Sequence, residues 1–341
     1  MGPSSVEKAH CEYNSAIVKT TDEQLLLNMV RLKYRDNPYF LEVSSISENR
    51  KLTTRIGPSG SKLGFDKNAG HYELGIIAYS EIFQNPTIFY TPLQGEKFTQ
   101  RMVSPIPLAV VFGLMQSGWS PQRVFNLCIE SINDLDNASS ASGPTPTTKP
   151  VYEPFSEAVN LIENLYKQKC LLIGTRFDHP KEWVVQFTDS NHPGVQELKS
   201  ILGLDPNQSE FHLSSNALDK RDTILTIRTR SMIEVLFYLS HAVDVPFHDI
   251  ETGLVTETKD ENGAVFHWNQ HLSGKWIAIH CAEAKARPEN AFVSIFYRGK
   301  WFYIADNDLN SKSTFLFISY LFNLQAGDSM AVVPTLSLSA N

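Results

Sequence analysis

Apolar and polar residues change their spacing several times along this chain, and each change predicts a new element of secondary structure. From residue 22 to residue 36, Leu25, Met29 and Leu32 recur at helical spacing behind a capping Thr or Asp, and Pro38 follows. The next stretch, FLEVSSIS, alternates as a half-buried strand does. ELGIIAYSEI and PTIFYTPL are two further predicted strands, joined through Gln84–Asn85, and a short predicted helix, GEKFTQRMV, comes after them.

The middle of the chain continues this mixture of periods. Ser120 and Pro121 have the order of an N-cap and a first helical residue, so a helix is predicted over PQRVFNLCIESIND. Further helices are predicted over EPFSEAVNLIENLYKQ, HPGVQELKSILGL and SMIEVLFYLSHAV. Strands are predicted over CLLIGT, EWVVQFT, EFHLS and DTILTIRTR, and KWIAIHCA begins the last group of strands.

The clearest pattern lies between Ala291 and Gly327. AFVSIFY and WFYIA are rich in β-branched and aromatic residues, and Arg298–Gly299 between them predicts a tight turn. The polar run Asp306–Asp308 then predicts the cap of a helix over LNSKSTFLFISYLFNLQAG, with Gly327 in the position of a C-terminal cap. The segment therefore predicts a hairpin that packs under a helix.

Strands and helices are mixed without the strict alternation of a parallel α/β sheet, so the predicted class is α+β with mainly antiparallel sheets packed against helices. Residues 137–150, NASSASGPTPTTKP, are rich in Ser, Thr and Pro and nearly free of large apolar groups. Such a segment predicts a linker. We therefore expect two α+β domains, one over residues 1–136 and one over residues 151–341.

Composition narrows the range of partners. Of 341 residues, 42% are hydrophobic and 20% are charged, which is typical of a globular protein. The net charge of −7 gives no basic field, so no nucleic-acid partner is predicted. The four cysteines form no CxxC pair and no zinc spacing, and a disulfide between Cys170 and Cys281 is left open.

No sequence motif in the chain predicts a cofactor or a catalytic residue. GPSGSKLG, residues 57–64, lacks the spacing of a phosphate-binding loop and predicts a hairpin loop instead. SGWSPQ has Gln122 where a nucleophile elbow requires its second Gly. Both matches therefore fail on a required position.

The candidate metal ligands are His241, Asp244, His248 and Asp249, with Glu251 close by. Imidazole and carboxylate groups together can bind a divalent ion. These residues also straddle a helix end, where polar groups collect for structural reasons, and their spacing is not that of a known ligand set. The preferred interpretation is a polar helix end, so no metal or cofactor is predicted.

Trp301 and Tyr303 are the candidate partner-binding residues, because they belong to a run of aromatic rings that could meet another protein. Strand and helix periods place most of those rings inward, so a core position is preferred for them.

Long phrases of the chain resemble an uncharacterised family of bacterial proteins described as hypothetical proteins or envelope lipoproteins. The phrases are YNSAIVKTTDEQLLLNMVRLKYRDNPYFLEVSSIS, PTIFYTPLQGEKFTQRMVSPIPLAVVFGLMQSGWSPQRVFNLCIESIND, TIRTRSMIEVLFYLSHAVDVP and YRGKWFYIADNDLNSKSTFLFISYLFNLQAG. The resemblance runs from about Tyr13 to the C-terminus and implies a place on the periplasmic side of the cell envelope. It also implies a lipid-modified Cys upstream of this segment. Cys11 precedes a charged Glu12 and follows no apolar run, so it does not resemble that Cys.

The leading functional expectation is a non-enzymatic envelope protein, a lipoprotein-type binding or assembly module. It would meet a protein partner in the envelope and reach the membrane only through an N-terminal lipid anchor. One alternative is a hydrolase or metal-dependent enzyme that uses the region from His241 to Glu251. Another is a secreted effector or scaffold that binds its partner through the rings around Trp301, and a cytoplasmic location is left open.

Overall fold

A long helix, α1, begins the described chain, and the predicted amphipathic stretch forms its C-terminal part. The computed structural model describes residues 3–59, 75–179, 182–216, 218–219, 221–283 and 285–326. In α1, Leu26, Met29 and Val30 are fully buried, as the sequence pattern predicts. Residues 10–24 of this helix are exposed or half-buried, and its buried residues begin at Leu25.

The predicted helices form in the predicted order, with one shortened after residue 128, and two described helices, Leu108–Gln116 and Phe247–Glu251, were not predicted. Their bounds are α1 Pro3–Lys33, α2 Glu96–Val103, α3 Leu108–Gln116, α4 Pro121–Cys128, α5 Glu153–Lys167, α6 Pro193–Leu202, α7 Met232–Ser240, α8 Phe247–Glu251 and α9 Leu309–Ala326. Local chemistry explains several ends. Ser231 and Glu234 form a reciprocal capping box at the start of α7, and Gly203 adopts a left-handed conformation after α6.

The strands are β1 Leu41–Ser59, β2 Gly75–Pro92, β3 Ile129–Ile132, β4 Leu135–Asp136, β5 Leu171–Thr175, β6 Trp183–Phe187, β7 Glu210–Ser214, β8 Ile224–Thr229, β9 His280–Ala282, β10 Ala291–Tyr297 and β11 Lys300–Ala305. In the described chain they form a two-stranded sheet, β1-β2, a three-stranded sheet, β10-β11-β9, and a six-stranded sheet, β4-β3-β8-β7-β6-β5. All pairs are antiparallel except β7 with β8. The predicted α+β class is therefore confirmed.

The main core lies between the six-stranded sheet and the helices on one of its faces. Apolar side chains of α3, α4, α5 and α6 meet those of β5 to β8 around one small apolar void; they include Phe112, Phe125, Ile162, Leu198, Phe187 and Phe211. All of these residues except Phe112 lie in segments for which the sequence predicts a helix or a strand. Burial of their apolar surface is the main term that stabilises this layer.

The hairpin predicted near the C-terminus forms as expected. Phe296 pairs with Trp301 across the turn, and Arg298 and Gly299 have φ values of 49° and 79°. Asp308 caps α9, because its carboxylate accepts the backbone N–H of Ser311 at 3.0 Å. Gly327, the predicted C-terminal cap, lies outside the described residues.

The predicted linker over residues 137–150 is wrong, because its first half is packed into the core. Asn137, Ala138 and Ala141 are fully buried. The Asn137 side-chain amide donates to two backbone carbonyls, and the Arg230 guanidinium donates to the Asn137 carbonyl. The composition of the segment predicts disorder because it offers little apolar surface to bury. Side chains from distant parts of the chain order the segment instead, by hydrogen bonding to its backbone carbonyls.

The predicted division into domains at this segment is also wrong. Strand β3 lies before the segment and β8 lies far after it, yet the two pair in one sheet, with Ile129 opposite Thr229. The described residues of Met1–Phe40 and Gln94–Ala331 form one compact unit, and those of Leu41–Leu93 belong to a second. The boundary therefore isolates a long hairpin instead of splitting the chain near its middle.

Several predicted elements differ from the structure in extent. The helix predicted over PQRVFNLCIESIND ends at Cys128, and the chain continues directly as β3. The two strands predicted on either side of Gln84–Asn85 are one continuous strand, β2. In KWIAIHCA only the last three residues are a strand. Among the described helices, none combines the length and the apolar character that crossing a membrane requires.

Candidate functional site

The residues predicted as candidate metal ligands lie around the end of α7, and His241 is the most deeply buried of them. Its Nε2 lies 2.9 Å from the carbonyl oxygen of Ala141, and its Nδ1 lies 3.1 Å from Oγ1 of Thr145. A carbonyl only accepts, so Nε2 carries the proton and Nδ1 accepts from the Thr145 hydroxyl. Burial first, and the charge of Lys33 second, lower the pKa of His241 to about 3. His241 is therefore a neutral structural histidine.

The other three candidates contact different partners. Asp244 Oδ2 lies 3.3 Å from Nδ1 of His280, and this hydrogen bond raises the pKa of His280. Asp249 is buried and accepts the hydroxyl of Tyr34 at 2.6 Å. Burial, followed by that hydrogen bond, raises the pKa of Tyr34 above its ordinary range.

His248 is exposed on α8, and the cavity that His241 and Asp244 line includes neither His248 nor Asp249. In the part of the chain that the structure describes, no three His, Cys, Asp or Glu residues are grouped so that they could hold a metal ion. The four residues therefore share a region of the sequence but not a site.

Lys33, at the last position of α1, is the most unusual group in this region, and the sequence pattern did not single it out. Its side chain is buried, and its Nζ donates to the carbonyl oxygen of His241 at 3.3 Å, where α7 ends. Burial lowers the pKa of Lys33 to about 8, although the charge of Asp244 acts in the opposite direction. The one hint of this burial in the sequence is that Lys33 follows a strongly apolar stripe. Most lysines in such positions extend their amine into water, so the hint is weak.

A cavity of about 140 Å³ opens beside this lysine. The residues that line it are Lys33, His241, Ala242, Val243, Asp244, Val245, Ile250, Thr256, Glu257, Thr258, Val265, Phe266, His267, Trp268 and Asn269. Trp268 packs its ring against the His241 ring, with centroids 4.5 Å apart, and donates through Nε1 to Thr258. The cavity therefore has a rigid aromatic wall and one buried amine.

Trp301 and Tyr303, the candidate partner-binding residues, are both half-buried on β11. The Trp301 ring lies 5.3 Å from Phe296, which is 57% exposed, and the Tyr303 ring lies 5.4 Å from His280. The sequence favours a core position for both rings, but each residue is only partly buried. Among the aromatic residues of β10 and β11, Phe292 and Phe296 are the most exposed, at 37% and 57%.

The second structural feature with functional potential is the pair of strands β1 and β2, here called the ribbon. The strands contain 19 and 18 residues and pair from Leu41 with Pro92 to Ser59 with Gly75. Within the described residues, neither strand pairs with a third strand. The ribbon therefore has two long edges that pair with no other strand of the described chain.

No family model, no curated protein and no solved structure matches this chain. The resemblance to envelope lipoproteins therefore stays an expectation. The ribbon and the cavity beside Lys33 are the two described features with functional potential.

Proposed function

We propose that the protein is a non-enzymatic assembly module, and that its ribbon pairs with the ribbons of other copies of the same chain. The observation that carries this proposal is a hairpin of 19 and 18 residues per strand without a third described strand. From the resemblance we further propose that the assembly forms in the bacterial cell envelope, on a lipid-anchored protein.

An isolated two-stranded hairpin is marginally stable in water, and stable sheets need a third strand or a packed face. Long unpaired edges also attract other strands, and proteins normally shorten, charge or cover them. Two long edges without a described partner strand therefore favour a ribbon that pairs with another chain. Near its base the side chains of Ile88 and Tyr90, which are two residues apart, are 41% and 51% exposed. Because alternate residues share a face, this part of the ribbon presents an apolar face as well.

The partner that fits both edges is a second copy of this chain. If β1 of one copy pairs antiparallel with β2 of the next, the hairpin order simply continues and both edges of every ribbon are used. Such head-to-tail contacts close into a ring or extend as a filament, according to the rotation between copies.

The test is the mass of the full-length protein in solution, measured by light scattering and native mass spectrometry over a range of micromolar concentrations. We expect oligomers. The matched variant joins Asn49 to Asn85, which are paired, through a two-residue Asn-Gly turn, so that the ribbon is shortened with its register unchanged. This variant should dissociate at higher concentration than the wild type does. A wild type that stays monomeric, or equal dissociation of the two proteins, would contradict the proposal.

A further inference from the structure

The amine of Lys33 is nearly removed from water and has few partners. The residue is 6% exposed, and the carbonyl of His241 is the hydrogen-bond acceptor that the described structure offers it. A lysine ammonium has three donors, so two of them point to no described protein acceptor. A buried charged group normally gains more partners than this, because an unsatisfied one is costly.

The space beside this amine is accessible from solvent. At about 140 Å³ the cavity has room for several waters or for one molecule of a few heavy atoms. Val265, on its lining, is 44% exposed, and His267 is exposed as well. Phe266 and Trp268 form apolar walls deeper inside. The cavity therefore connects an exposed rim at Val265 and His267 to a buried part that contains Lys33.

Burial makes this amine chemically different from a surface lysine. With a pKa of about 8, about a tenth of Lys33 is unprotonated at pH 7. For a lysine with an ordinary pKa of about 10.4 the unprotonated fraction is about 0.04%. The unprotonated amine is the nucleophile, and a lysine desolvated among apolar groups is a known way to obtain one.

We propose that this cavity binds a small carbonyl compound, an aldehyde or a 2-oxo acid, that condenses reversibly with Lys33. The Nζ lone pair attacks the carbonyl carbon and forms a C–N bond. The carbonyl oxygen leaves as water with the two hydrogens of the amine, and the product is an imine. The reaction needs no oxidant and no reductant, and it is independent of the assembly proposed for the ribbon.

The alternative role for Lys33 is structural, because a cation at the C-terminal end of α7 stabilises that helix. A structural lysine would stay protonated against the His241 carbonyl and would react no faster than surface lysines do. Reactivity at the amine therefore distinguishes the two roles, whereas a change in stability would not.

The experiment incubates the full-length protein at pH 7 with glyoxylate and cyanoborohydride, which reduces each imine to a stable amine. Peptide mass spectrometry then gives the labelling rate at each lysine. The comparator in the same sample is Lys275, which is exposed. We expect Lys33 to be labelled at least about tenfold faster than Lys275.

Two variants locate the reaction. Val265→Trp should fill the mouth of the cavity and slow labelling at Lys33 but not at Lys275. Lys33→Arg keeps the cation beside the His241 carbonyl and should remove the fast-labelling site while the melting temperature changes little. Labelling at Lys33 that is no faster than at Lys275, or that is unchanged by Val265→Trp, would overturn the proposal.

Discussion

At the residue scale, buried polar side chains order a Ser- and Pro-rich segment that the sequence predicts to be a linker. The fully buried Arg230 donates to the carbonyl of Asn126 at 2.8 Å and to Oγ of Ser142 at 3.1 Å, and its guanidinium lies 4.2 Å from the Tyr238 ring centroid. Together with His241 it fixes backbone that carries almost no apolar side chains. These bonds satisfy the carbonyls of Asn137 and Ala141 and the hydroxyls of Ser142 and Thr145, which explains why a Ser- and Pro-rich segment is ordered.

The neutral state of His241 predicts sensitivity to acid. Its folded pKa of about 3 lies below the ordinary value of about 6.5, so the unfolded chain takes up the proton first as the pH falls. Its contribution to stability is complete above pH 6.5 and is lost between pH 6.5 and pH 3. We expect the free energy of unfolding to fall by about 3 kcal/mol between pH 7 and pH 4 from this residue.

Urea unfolding at the two pH values measures this loss, and His241→Gln is the control. Glutamine keeps a donor for the Ala141 carbonyl but does not titrate. The variant should be less stable at pH 7 and should lose about 3 kcal/mol less than the wild type between pH 7 and pH 4. Equal losses in the two proteins would show that another group dominates.

At the element scale, the sequence predicts helices with a clear apolar stripe and recognisable caps well. It predicts poorly where a helix passes directly into a strand without a Gly or Pro between them. The helix after Ser120 ends at Cys128 and becomes β3 without a Gly or Pro between them. IESI continues the apolar spacing of the helix in sequence, and its pairing with β8 and β4 makes it a strand. Gln84–Asn85 resembled a turn, yet Asn49 and Arg50 pair with these residues inside the ribbon.

The start of α4 depends on a residue of another helix. Glu163 of α5 accepts the backbone N–H of Gln122 at 2.9 Å and the hydroxyl of Ser120 at 3.2 Å, and it is buried. Glu163→Ala leaves these donors without their acceptor, so we expect a loss of roughly 2 kcal/mol in the free energy of unfolding. Glu157→Ala changes an exposed residue of the same helix and should cost under about 0.5 kcal/mol. Similar losses for the two variants in urea unfolding would contradict this account of the cap.

The candidate site was the least predictable part of the molecule. His241, Asp244, His248 and Asp249 are close in sequence, and that closeness suggested a shared ligand. The side chains of His241, Asp244 and Asp249 are held by the distant residues Thr145, His280 and Tyr34, which no local pattern indicates. Lys33 was missed for the same reason, because its burial depends on the end of α7, more than two hundred residues later.

At the scale of the whole molecule, the described chain consists of a compact unit and a ribbon inserted between Phe40 and Gln94. Leu41 and Pro92 are paired, so their backbones are about 5 Å apart. A short linker could therefore join Leu41 to Pro92 and remove the rest of the ribbon from the chain.

Separability makes a prediction about folding. Replacing residues 42–91 by a four-residue Gly-Ser linker should leave a protein that unfolds cooperatively, with a melting temperature within about 5 °C of the wild type. The same variant should be monomeric if the ribbon carries assembly. Differential scanning calorimetry and light scattering measure the two properties, and loss of the cooperative transition would show that the compact unit requires the ribbon.

The hydrogen bonds that fix residues 137–145 come from side chains about a hundred positions later, and this order has a consequence for synthesis. While the chain is being translated, that segment leaves the ribosome long before Arg230 and His241 do. Until they arrive, its carbonyls are bonded to water and its backbone is open to proteases. The compact unit therefore closes late in translation, and a chain that terminates before residue 230 would be degraded rather than retained as a smaller domain.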